Sequence, residues 1–160
     1  MHEVAAVSAT KCWVEQVVVG LQLCPFAARP LQLGQIRFKV CSASEADGIY
    51  RALLSEMETL LRLPEAVAET SLFIVPQGLC DFDDYLALLY AADQAIPAAG
   101  LDGVLQLASF HPEYLFAGAD QDDPANFTNR SPYPMFHLIR EASLSRALEG
   151  YPDAGEIPRR

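Results

Sequence analysis

Residues 69–78 read ETSLFIVPQG, with the apolar run Leu72–Phe73–Ile74–Val75 at their centre. A short unbroken apolar run closed by Pro76 and Gly78 is the pattern of a strand covered on both faces. On its N-terminal side Ala46, Ile49, Tyr50, Leu53, Leu54, Met57, Leu60 and Leu61 recur at helical spacing, and Pro64 stops them. Ser42 with Glu45, or Ser44 with Asp47, can form a capping box for that helix. Before it, Ile36, Phe38 and Val40 alternate with Arg37 and Lys39, which predicts a half-exposed strand. On the C-terminal side Asp81, Asp83 and Asp84 open a helix, placing negative charge at its positive end. Phe82, Leu86, Leu89, Ala92 and Ile96 supply its inner face, and Pro97 and Gly100 close it. Val104–Phe110 is the third strand.

The flanks complete the pattern. Thr10–Leu23 predicts a first helix with Thr10 as N-cap and Pro25 as its end. A polar stretch, His111–Tyr133, follows the third strand, with Tyr114–Ala117 as a short fourth strand within it. Pro134 suits the first position of a last helix running to about Glu149. Strands alternating with helices predict an α/β fold: a small, mainly parallel sheet of three to four strands with helices on one or both faces. With Leu72–Val75 central, the strands lie in the order one, two, three. Both crossover helices then share one face, and the first and last helices cover the other. The 160 residues form one domain, 1–160, with residues 152–160 as a flexible tail.

The chain carries a net charge of −10, and the excess is local. No Lys or Arg occurs between Arg62 and Arg130, an interval with eleven acids; the rest of the chain has ten acids and eleven bases. Such a balance makes nucleic acid a poor partner, because that affinity rests on cations neutralising phosphates. It also disfavours an anionic membrane. Met1–Thr10 has no basic segment of a signal peptide, and Trp13–Leu23 is too short to span a bilayer, so a cytoplasmic protein is expected. Cys12, Cys24, Cys41 and Cys80 show no CxxC spacing, and no glycine-rich nucleotide motif occurs. No cofactor is therefore assigned.

Ligands of parallel sheets gather at the carboxyl ends of the strands. The ends here are Cys41–Ser42, Pro76–Gly78 and Ser109–Pro112, the last followed by the long polar stretch. A connection that long in a compact domain is usually functional or disordered, and Phe116 and Phe127 favour an ordered one. On a helix from Pro134, His137, Arg140 and Glu141 share the polar face and Met135, Leu138, Ile139 and Ala142 the core face. With Asn129, Arg130 and Ser131 nearby, His137 and Arg140 could form an anion cradle. The plain alternative is a solvated helix face. Leu144 and Leu148 on that face ask for a cover, either the tail or another subunit in a homo-oligomer. Arg130 is the first choice for holding an anion, because its planar fork suits carboxylate or phosphate; the alternative is a salt bridge to Asp120, Asp122 or Asp123. His111 and His137 are the acid/base candidates. Cys24 is a weaker nucleophile candidate, since a helix C-terminus disfavours a thiolate. His111, His137 and the three aspartates make only a weak metal pattern, and no metal ligands are assigned.

Three blocks carry a resemblance: Trp13–Val14 through Leu21–Ala27, then Ala108–Tyr114, then Asn126–Glu141. With these blocks in order, the chain resembles the bacterial domain-of-unknown-function family numbered 1415 over nearly its whole length. The resemblance implies no activity and transfers no residue roles. Two function classes follow from the residues. The first is a small enzyme acting on an anionic small molecule at a site built from residues 109–141. The second is a non-catalytic module that binds a metabolite or a protein.

Overall fold

The computed structural model describes residues 2–15, 34–116, 118–120 and 122–142. The order of elements is α1 (His2–Trp13), β1 (Ile36–Val40), α2 (Ala46–Arg62), β2 (Thr70–Ile74), α3 (Phe82–Ala98), β3 (Leu105–Phe110), a 3-10 helix (Pro124–Asn129) and β4 (Met135–Arg140). The fold is α/β. Its four strands form one mixed sheet in the order β1-β2-β4-β3.

β1 and β2 are parallel, with Phe38 opposite Leu72. β4 runs antiparallel to both its neighbours, with His137 opposite Leu72 on one side and Ala108 on the other. β2 and β3 therefore do not touch. This corrects the expected mainly parallel sheet and the one-two-three order. The cause is residues 135–140, expected as helix and found as a central strand. Met135, Leu138, Ile139 and Ala142 fit a helical stripe, but a strand covered on both faces is also apolar at successive positions, and a short run satisfies both periods. Pairing with β2 and β3 along the whole strand decides in favour of the sheet. Tyr114–Phe116, part of the expected fourth strand, is not extended sheet.

Local signals explain the helices. Asp81 caps α3, its carboxylate accepting from the Asp83 N–H at 3.4 Å. The helix closes one residue after Pro97, and Gly100 follows at φ +76°. At the start of α2 neither expected capping box closes, for Glu45 caps through its backbone alone. α1 begins eight residues earlier than expected, so Thr10 sits inside it and not at its cap. Glu3, Ala5, Ala6 and Ala9 are strong helix formers that extend it toward the N-terminus. Residues 16–23 of the expected first helix, Cys24, residues 143–149 of the expected last helix with Leu144 and Leu148, and the tail lie outside the described residues.

Two cores form on opposite faces of the sheet. On one, α2 and α3 pack through Ile49, Leu53, Met57, Tyr85, Leu88 and Ala92 onto Phe73, Phe136 and Leu138. Both crossover helices lie on this face, as the strand–helix alternation predicts. On the inner side of α3, Tyr85 and Leu88 are buried, whereas Leu86 is 38% exposed. On the other face Ala6, Trp13 and Val14 of the α1 segment meet Leu72, Ile74, Ala108, Phe110 and Met135. The alternation of β4 follows: Phe136, Leu138 and Arg140 point to α2 and α3, and Met135, His137 and Ile139 to the α1 side.

One carboxylate bridges the layers. Glu56 of α2 is 2% exposed and accepts from Arg37 Nε at 2.7 Å and Ser71 Oγ at 2.6 Å. It ties α2 to β1 and β2, and the alternating pattern alone did not mark it. Burial of a carboxylate is tolerated when it is paired in this way.

Candidate functional site

The carboxyl ends of β1, β2 and β3 meet the start of β4 at one edge of the sheet. Their turns interlock. Gly78 lies so close to residues 44 and 49 that a Cβ there would come 2.8 Å from Ser44 O and 2.7 Å from Ile49 Cδ1. Leu79 adopts φ +59°, unusual for a branched side chain, and its carbonyl accepts from His111 Nε2 at 2.8 Å. The Val75 N–H donates to Pro134 O and the His111 N–H to Asn129 O.

Tyr85 anchors this edge from below. Its hydroxyl donates to Met135 O at 2.7 Å and accepts from the Phe110 N–H at 2.9 Å, joining β3 to β4 where the long connection leaves them. Burial pushes the phenol far above its usual range, so it stays protonated. The periodic reading of α3 missed Tyr85. A phenol one residue off the expected stripe was the available signal.

His111 is 1% exposed. Its ring lies between Phe82, at 5.2 Å, and Tyr85, at 5.1 Å, between ring centres. Nδ1 accepts from the Glu113 N–H at 3.0 Å, so Nε2 carries the proton given to Leu79 O. Both ring nitrogens are thus committed to the backbone. Asn129 is fully buried and donates to Ser109 O at 2.7 Å. Ser131 donates to Tyr133 O at 2.6 Å. Arg130 Nε donates to Tyr114 O at 3.1 Å. Asn126 accepts from the Phe116 N–H and donates to Asp120 O, which fastens the acidic turn. These polar side chains hold the 111–134 connection by bonding to its own main chain and to the ends of the strands. That ordering needs no large core of its own.

Arg140 lies elsewhere. Its guanidinium donates to Glu69 O, Leu60 O, Leu63 O and Ala68 O at 2.7–3.1 Å. It therefore closes the C-terminal end of α2 and the turn before β2. It does not share a helix face with His137 and Glu141, because residues 135–140 are a strand and the two side chains leave it on opposite sides.

His137 occupies the α1 side. Its Nε2 lies 2.8 Å from Thr70 Oγ1, and Thr70 Oγ1 donates to Leu138 O at 2.5 Å. The threonine has one proton and spends it on Leu138, so His137 Nε2–H must be the donor to Thr70. The proton of the neutral ring is then on Nε2. The Phe110 ring is 6.3 Å away, and Trp13 meets Phe110 edge-on at 5.1 Å. His137 is half-buried. His111 and His137 face opposite sides of the sheet and do not converge.

Cys41 is buried, and its thiol is pushed up by burial; Cys12 and Cys80 are exposed. Among the described residues no group of three or more His, Cys, Asp or Glu converges as a metal-ligand set. No helix among them is long and apolar enough to cross a membrane.

A family model described as a protein of unknown function, DUF1415, matches residues 5–160. The chain belongs to the DUF1415 family. No curated protein and no solved structure matches it significantly. For this DUF1415 protein, then, the geometry of its own side chains carries any reading of function.

Proposed function

We propose that this DUF1415 protein is a small enzyme that moves a proton on a small molecule bound on the α1 side of the sheet, with His137 as general acid/base. The observation that carries the reading is the His137–Thr70–Leu138 O chain, which orients the imidazole and sets its proton on Nε2. A base held by a third group is the recurrent arrangement for such catalysis. His111 takes a positioning part, since its nitrogens are engaged by Leu79 and Glu113. An anionic substrate remains part of the proposal, with Arg130, the one cation of the 111–134 connection, as its partner. Asn129 and Ser131 shape that connection from within. The nucleophile candidate Cys24 has no part in the proposal. The protein is proposed to be cytoplasmic.

A second reading, a non-catalytic binding module, draws on a different observation. His111, Asn129, Ser131 and Arg140 all bond to main-chain atoms, as in a scaffold.

Incubation with pools of small carboxylic and phosphorylated metabolites, followed by proton NMR, tests the first reading. A compound consumed by wild type should be consumed about 10²- to 10⁴-fold more slowly by His137→Asn. Thr70→Val should fall between the two. Full turnover in His137→Asn overturns the assignment. Saturable binding without turnover favours the module.

A further inference from the structure

Two buried polar atoms lack a hydrogen-bond partner among the described residues: Thr10 Oγ1 and Trp13 Nε1. Both belong to α1. Thr10 is fully buried and Trp13 is 8% exposed. They stand three residues apart, so they share one face of the helix. That face turns to the sheet, because Ala6 and Val14, four residues either side of Thr10, are buried in the same core as Phe110. Buried polar groups in folded proteins are nearly always paired, and each exception asks for an explanation such as an unseen ligand. A helical threonine usually turns its proton to the carbonyl four residues back. Thr10 makes no such bond. An indole N–H can only donate.

We infer that Thr10 Oγ1–H and Trp13 Nε1–H form a paired donor site for the carbonyl oxygen of a small carboxylate or carboxamide, held between α1 and the sheet. The inference deepens the proposed function and shares with it the α1 side as the place of binding. Trp13 lies against Phe110, and Phe110 in turn neighbours His137, so a ligand end group fixed by α1 leaves its remaining atoms on the histidine's side. Two end groups fit the donors. Lys11 lies over the Phe38 ring at 5.4 Å and favours a carboxylate. The negative end of the α1 dipole favours the uncharged carboxamide.

The chain contains one tryptophan, so its nitrogen–proton correlation spectrum holds a single indole signal, that of Trp13. The full chain is titrated with sodium acetate, with acetamide and, as an ionic control, with sodium chloride. A saturable shift of the indole signal with acetate or acetamide, absent with sodium chloride, supports the site and names the preferred end group. Thr10→Val should weaken that binding about 5- to 10-fold, the loss expected for one hydrogen bond. Thr10→Ser keeps the hydroxyl and should restore it. A response that does not saturate, that chloride reproduces, or that Thr10→Val leaves intact overturns the inference. The same titration of His137→Asn keeps the two readings apart. An indole shift preserved there leaves the donor site standing whatever becomes of the acid/base role.

Discussion

Arg140 offers a decisive perturbation, because its two readings predict opposite results. As an anion ligand it would be dispensable for stability. In the structure it holds four carbonyl oxygens, those of Leu60, Leu63, Ala68 and Glu69. A hydrogen bond with a charged donor contributes about 1.5–3 kcal/mol. A simple sum overstates the total, since three of the four contacts share Nη2 and its two protons. Arg140 is also only half-buried, so water recovers part of the loss. Arg140→Met keeps the length of the side chain and removes the donors. It should cost about 2–4 kcal/mol, the loss of one or two charge-donor hydrogen bonds after the discount for exposure. For a chain of this size each kcal/mol lowers Tm by about 2–4 °C, so the expected drop is about 4–16 °C. Arg140→Lys retains the charge, but its compact ammonium cannot span the carbonyls served by Nε and Nη2, and it should recover only part of the loss. Thermal melts and urea titrations on the three proteins provide the measurement. An Arg140→Met protein melting within about 1 °C of wild type would refute the anchoring role, since that shift corresponds to less than 1 kcal/mol.

Other outcomes follow from the same geometry. Tyr85→Phe strands Met135 O and the Phe110 N–H in the core and should cost about 2–4 kcal/mol, read by urea denaturation. Gly78→Ala should cost about 1–3 kcal/mol, because the new methyl meets the Ser44 carbonyl, a backbone atom that cannot swing aside. Burial raises both the Cys41 thiol and the Tyr85 phenol, so in alkali the unfolded chain loses these protons first. Stability should therefore fall above about pH 8.5, more steeply beyond about pH 10. Tyr85→Phe should remove the second phase of that fall in denaturation midpoints measured against pH.

Much of the fold was legible where one face of an element is exposed. Ile36–Val40 alternates because β1 is an edge strand, and its boundaries match the structure. The α2 stripe and the acidic opening of α3 were equally plain, since each rests on contacts within a few residues. β4 was not legible. Its apolar positions satisfy a helical and an extended period at once, and its partners lie far away in the chain. That single reversal moved His137 and Arg140 from one polar helix face to opposite faces of the sheet. Of the proposed acid/base pair, His137 was singled out by the sequence and Thr70 was not. Sequence could not tell His111, whose nitrogens both meet the backbone, from His137, whose hydroxyl partner sits on β2. Tyr85 and Glu56 were missed because each acts through two long-range contacts that no local pattern encodes.

The central claim is that Thr70 orients the His137 imidazole and fixes its proton on Nε2. Long-range proton–nitrogen NMR on protein labelled at the imidazole nitrogens reads this tautomer directly. At neutral or higher pH, the account predicts a protonated Nε2 for His137 in wild type, with that preference lost in Thr70→Val. A wild-type His137 carrying its proton on Nδ1, with a bare Nε2, would contradict it.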